Sequence, residues 1–152
     1  NQKIMSAKNS FEDAIMKLIF NNDDLTGIGD AGGLLGSVAD GSLYVALFTA
    51  NPTDSTQGTE TTYTNYARVA VARTTGGWTV AVGDPTNVSN AAAVPFAQCG
   101  ATGATITGFA ICKAGTTGVD DAIFWGALSS SLAVSNGVTP EFAIGALDIN
   151  VD

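Results

Sequence analysis

The sequence predicts a mainly β protein: an antiparallel sandwich or barrel of about 7–8 strands with one N-terminal α-helix. Three observations carry this. Apolar residues follow a helical period only once, before residue 21. After Gly41 the period is 2. Short apolar runs there alternate with turn clusters such as NPTDSTQG, VGDPTN and VSNGVTP, at the spacing of all-β domains.

The helix is expected over Ser6 to Phe20. Ala7, Phe11, Ala14, Ile15, Leu18 and Ile19 would form its apolar face, with Lys8, Asp13 and Lys17 opposite. Ser6 or Asn9 would be the N-cap, and Asn9 has Glu12 three residues on. Residues 21–41 read as a Gly- and Asp-rich connection. Strands are expected at Ser42–Ala50, Tyr66–Thr74, Gly77–Val82, Ala91–Gln98, Ala104–Lys113, Ala122–Ser129 and Glu141–Val151. Pro95 places the fourth at an edge or bulge. The whole chain, 1–152, reads as one domain: arm and helix to residue 20, the loop to 41, and the β body from 42 to 152.

Charge narrows the partners. The net charge is −8, and from residue 20 onward 12 acids face 3 bases. Such a surface disfavours nucleic acid and anionic membrane. No apolar run approaches the roughly 20 residues of a membrane span, and Ile4-Met5 and Ile15–Phe20 are too short for a signal peptide. The chain is therefore expected to stay in the cytosol after synthesis, unless it leaves as part of a particle. Cys99 and Cys112 are read as two free buried thiols, since a strand of about eight residues would hold them farther apart than the roughly 7 Å a disulfide allows.

Chemistry is scarce. The run GIGDAGG places Gly27, Gly29 and Gly32 at the spacing of a dinucleotide fingerprint. That fingerprint needs a strand before it and a helix after it. Here a helix precedes, no helix follows, and Asp30 would repel phosphate. The run is read as a loop. Asp23, Asp24 and Asp30 lack the Glu at position twelve of a calcium loop. With no histidine, neither a Ser-His-Asp nor a Cys-His arrangement exists, and no motif marks a Ser-Lys pair. Trp78 and Trp125 would serve as cleft walls or, since both lie in alternating strands, as core. The core reading is preferred. No cofactor, no metal and no enzyme activity are expected.

SLYVALFTANP at residues 42–52 begins a resemblance that runs through most of the chain. Leu43–Pro52 is similar to a LYVALHTADP strand, Tyr66–Val71 to YARQAV, and Asn90–Ala97 to NAVTFPTA. Ile106–Ala114 is similar to ITHFAIYDA, Ile123–Leu128 to LFWGAL, and Phe142–Asp152 to an F..GAL.I.LD ending. Together these resemble a family of small phage virion proteins labelled tail fibre proteins. Phe48 stands where that family has His.

The resemblance implies a non-enzymatic virion protein. The reading preferred at this point is a head decoration (cement) protein that stabilises the shell by binding the major capsid protein, as a homo-oligomer on the particle. The alternative is a tail or tail-fibre module, structural or host-attaching, with Tyr44, Tyr63, Tyr66 or Trp78 as an exposed platform for a glycan or receptor. Lys3, Ile4, Met5, Lys8 and Lys17 are the candidate partner contact, because the body is acidic. The reading preferred for the helix itself, and compatible with that contact, is that it packs across the sandwich and closes an edge.

Overall fold

A computed structural model describes residues 7–118 and 121–151. The chain divides into two compact units. One comprises residues 1–41, 72–92 and 143–152, and the other 42–71 and 93–142. Among the described residues there are one helix, α1 (Asn9–Asn21), and ten strands. Six strand pairs among the described residues are antiparallel.

The first unit holds α1 and a three-stranded sheet ordered β10 (Asp148–Val151), β5 (Thr86–Asn90), β4 (Trp78–Ala81). The helix forms where its period predicted, but it is turned by one position, roughly 100°. Glu12, Met16 and Phe20 are its buried residues, whereas Phe11, expected inside, is 43% exposed. Polar contacts explain the turn. The Asp13 carboxylate, expected in solvent, accepts from Thr86 Oγ1 at 2.6 Å and Gly83 N at 3.3 Å. Phe20 then meets Trp78 edge-on at 5.0 Å.

Lys8, not Ser6 or Asn9, occupies the N-cap, without a side-chain cap bond. At the C-terminus the helix has no basic residue of its own. Arg73 supplies one from elsewhere: its Nη2 and Nε donate to the carbonyls of Leu18 and Ile19, both at 2.7 Å. Two of the orphan carbonyls that end any helix are thereby satisfied.

Strand β5 falls between the expected strands, with its first two residues in the turn cluster VGDPTN. Its sequence, TNVSN, is polar, yet Thr86, Val88 and Asn90 are buried. Asn90 works as a backbone surrogate. Its amide donates to Ala92 O and Ala143 O and accepts from Leu147 N. The expected strand 141–151 breaks accordingly into β9 (Glu141–Phe142) and β10.

The second unit holds a five-stranded sheet. Its main order is β2 (Thr59–Glu60), β1 (Ser42–Ala50), β7 (Ala104–Cys112), β8 (Ala122–Val134), and β3 (Val69–Ala72) also pairs with β1. A ribbon of β6 (Val94–Pro95) and β9 completes it, so only two residues of the expected strand 91–98 are extended. Strand β1 has the predicted bounds. It is buried at every position from Val45 to Phe48, because both faces of this central strand are covered.

Phe48 packs with Ala46, Ala110 and Cys112. Phe48, which stands where the resembling sequences have His, is therefore a core residue. On the aromatic side, Phe109 meets Phe142 at 5.3 Å, Phe142 meets Phe96 at 6.2 Å, and Phe96 stacks on Tyr66 at 6.2 Å. Both cysteines are free and buried.

The two tryptophans part company. Trp78 is fully buried, but Trp125, read from sequence as core, is 46% exposed. Register gives the reason. Trp125 lies opposite Ala110, which lies opposite Ala46, so one face carries the row Ala46–Ala110–Trp125. Two alanines leave the indole little depth, and β8 ends the main strand order, where that face opens to solvent.

Trp78→Ala should lower the unfolding free energy by about 3–5 kcal/mol. Trp125→Ala should stay folded and change it by less than about 1 kcal/mol. Urea denaturation of both variants measures the contrast, and equal losses would refute this placement.

Candidate functional site

The second unit contains a buried ionic cluster centred on Arg68, whose side chain is 2% exposed. Arg68 Nε and Nη2 donate to Oε1 and Oε2 of Glu60, both at 2.8 Å. This is the fork geometry that guanidinium offers and ammonium does not. Nη1 donates to Asp121 Oδ2 and, at 2.7 Å, to Ala114 O. Glu60 also accepts from Tyr66 Oη and Thr117 Oγ1, both at 2.7 Å. Tyr66 Oη in turn accepts from Leu47 N at 3.0 Å.

Gln57 closes the set. Its Nε2 donates to Asp121 Oδ1, and its Oε1 accepts from the amides of Asp121 and Ala122 at 3.2 and 3.4 Å. One cation thus ties together β2, the approach to β3, the segment after β7 and the entry to β8. Sequence inspection does not assemble it, because its members stand singly, at residues 57, 60, 66, 68, 117 and 121, and because Asp120-Asp121 reads as a solvated hairpin tip, whereas Asp121 is buried. The only local sign was an Arg and a Glu in an otherwise charge-poor β body.

The electrostatics match a structural role. Burial pushes the Glu60 carboxyl up, but hydrogen bonds from Arg68, Thr117 and Tyr66 outweigh it, and the carboxyl titrates below its ordinary range. Burial and the bond to Glu60 raise the Tyr66 phenol well above its ordinary value. Burial pushes the Cys112 thiol up to about 12, against a smaller lowering by Arg68. Glu60 accepts four hydrogen bonds and Arg68 is bonded on all three nitrogens.

Beside this cluster lies a cleft of about 230 Å³ lined by Pro52, Thr53, Asp54, Thr56, Gln57, Ala122 and Trp125. Its rim is a tight turn. Thr53 and Thr56 exchange backbone hydrogen bonds at 2.9 and 3.3 Å, and their hydroxyls meet at 2.8 Å. Two glycines let this turn sit where it does. A Cβ on Gly108 would lie 2.2 Å from Asn51 Oδ1, and Gly58, at φ +74°, would put one 2.4 Å from Ala50 O.

The sequence-predicted residues fall elsewhere. Lys3, Ile4 and Met5 lie outside the described residues. Lys8 is exposed at the N-cap and Lys17 is half-buried on α1. Of the expected aromatic platform, Trp78 and Tyr63 are buried, and Tyr44 and Tyr66 are half-buried. The aromatics that do reach solvent among the described residues are Trp125 and, on α1, Phe11. In the GIGDAGG loop, Asp30 Oδ1 accepts from the amides of Gly32 and Gly33 at 2.8 and 3.1 Å. The chain's own carboxylate occupies the amides that a phosphate would need.

The shifts give a pH profile. Glu60 titrates lower folded than unfolded, so its contribution is present at neutral pH and lost as pH falls below about 4.5. Tyr66 and Cys112 titrate higher folded than unfolded. Their contributions are complete below the ordinary thiol value of 9.0 and are lost as pH rises past it. The urea midpoint should be level between about pH 5 and 8.5 and fall on both sides. Glu60→Gln should flatten the acid limb, and Cys112→Ala should flatten part of the alkaline limb. Unchanged limbs in both variants would contradict these assignments.

A family model described as Podophage GP4 fiber I protein gp80 matches residues 37–150. The match covers the whole five-stranded sheet, the β6–β9 ribbon and the Arg68 cluster, and it leaves out α1. No curated protein sequence gives a significant match. With three quarters of its length matched, the chain belongs to the fibre protein family of podophage GP4 fiber I protein gp80.

Proposed function

We propose that the chain is a non-enzymatic structural module of a phage tail or tail fibre, made in the host cytoplasm and held in the virion by contacts with other virion proteins. The family match carries this reading, and it favours the tail-fibre role over the head-decoration role. Two features support it. The buried Arg68 cluster is saturated by internal bonds, which suits a rigid part rather than a reactive one. The sequence also has no histidine, the commonest general acid and base.

The first unit offers the contact surface. Phe11 and Ile28 are exposed large hydrophobics that line one cleft with Ala14 and Leu25. Apolar residues gathered on one exposed surface suit an association site. Another virion protein is the occupant this reading requires, and Lys8 and Lys17 on α1 would flank it with positive charge.

Cryo-electron microscopy of the intact particle tests the assignment. The fibre reading expects density for this chain at the tail or its fibres. Density repeated over the head lattice would overturn it and restore the decoration role.

A further inference from the structure

We propose that the cleft at Trp125 binds one ring of a neutral saccharide. The proposal rests on the fibre reading only for its biological setting; the site itself is argued from geometry. The indole is the one large aromatic on the cleft wall, and it is 46% exposed on a strand whose neighbours are small. An exposed tryptophan offers a flat apolar face together with a polar N–H. A sugar ring presents the complement: one face of C–H bonds, and hydroxyls around its edge.

The remaining lining is mostly polar. Thr53, Asp54, Thr56 and Gln57 face an aromatic, a proline and an alanine. A few fixed polar groups around an apolar wall are what orient a small ligand. The volume decides how much of one. At about 230 Å³ the cleft is smaller than the roughly 300–1,000 Å³ of sites for drug-sized molecules, so it takes one ring rather than an extended chain.

The polar groups are held in place before any ligand arrives. Gln57 is fixed at both ends of its amide by Asp121 and Ala122. The 53–56 turn is closed on itself by backbone and hydroxyl bonds. Groups immobilised beforehand lose little entropy on binding. Asp54 is the only charged residue in the lining, and no hydrogen bond or ion pair engages its carboxylate among the described residues. A carboxylate accepts from two neighbouring hydroxyls at once. It also repels an anion, the lining itself carries no cation, and the Arg68 guanidinium beside it is buried and engaged. An acidic sugar is therefore disfavoured, and a neutral one fits.

Saturation-transfer NMR on the isolated protein tests this, using methyl glycosides of glucose, galactose, mannose, rhamnose and N-acetylglucosamine as probes. At least one should receive saturation with a millimolar midpoint and quench Trp125 fluorescence. Trp125→Ala and Asp54→Ala, both at exposed positions, should remain folded and reduce the transfer at least tenfold. No transfer to any probe, or transfer unchanged in both variants, would overturn the site. So would a Trp125→Ala variant whose main effect is a change of oligomeric state, because the indole would then be covered by a second copy. These outcomes do not depend on where the chain sits in the virion, so the site and the fibre role fail separately.

Discussion

The second unit depends on the tie that Arg68 makes between Glu60 and Asp121. Burying three charges is costly, and a buried ion pair seldom exceeds a well-packed apolar alternative in stability. What it provides here is position. Strand β2 is two residues long, and at the entry to β8 the register with β7 shifts between Ile111 and Cys112. Few regular ladder hydrogen bonds hold either segment. A guanidinium with donors in three directions fixes both at once, and the Ala114 carbonyl with them.

The consequence reaches the surface through Gln57. Its amide bridges the buried carboxylate of Asp121 and the rim of the Trp125 cleft. The polar groups of the cluster are engaged with one another, and the cleft at Trp125 lies open beside them. Rigidity below and exposure above are what a recognition surface requires. The first unit solves a similar problem with neutral groups. Asn90 replaces missing backbone partners for the 143–147 segment, and Arg73 ends the helix. In both units single polar side chains do the work that longer strands would otherwise do.

This pattern explains what could be read from the sequence. Strand β1 was legible to the residue because SLYVALFTA is apolar, β-branched or aromatic almost throughout and is bounded by Gly41 and Asn51-Pro52. Strands β4 and β7 and the helix were legible for related reasons. Strand β5 was not, because TNVSN owes its burial to Asn90, whose partners lie more than fifty residues away. Trp125 was misplaced because AIFWGAL is apolar at both parities. Alternation cannot then say which face points inward, and only the register with Ala110 decides. The face of α1 was misjudged because Asp13 has partners at Gly83 and Thr86. The ionic cluster was invisible for the same reason: its six residues meet only after the sheet has formed.

The most direct measurement is backbone amide hydrogen exchange of the protein and its Arg68→Lys variant. Lysine keeps the charge and loses the fork, so it reaches one carboxylate but not both. If the Arg68 tie positions this face, amides at residues 57–61 and 121–125 should exchange at least tenfold faster in the variant, while those in the middle of β1 and β7 stay unchanged. Identical exchange at residues 57–61 and 121–125 in the two proteins would show that these segments are held by something else, and that the fork at Arg68 is not the constraint on which the face depends.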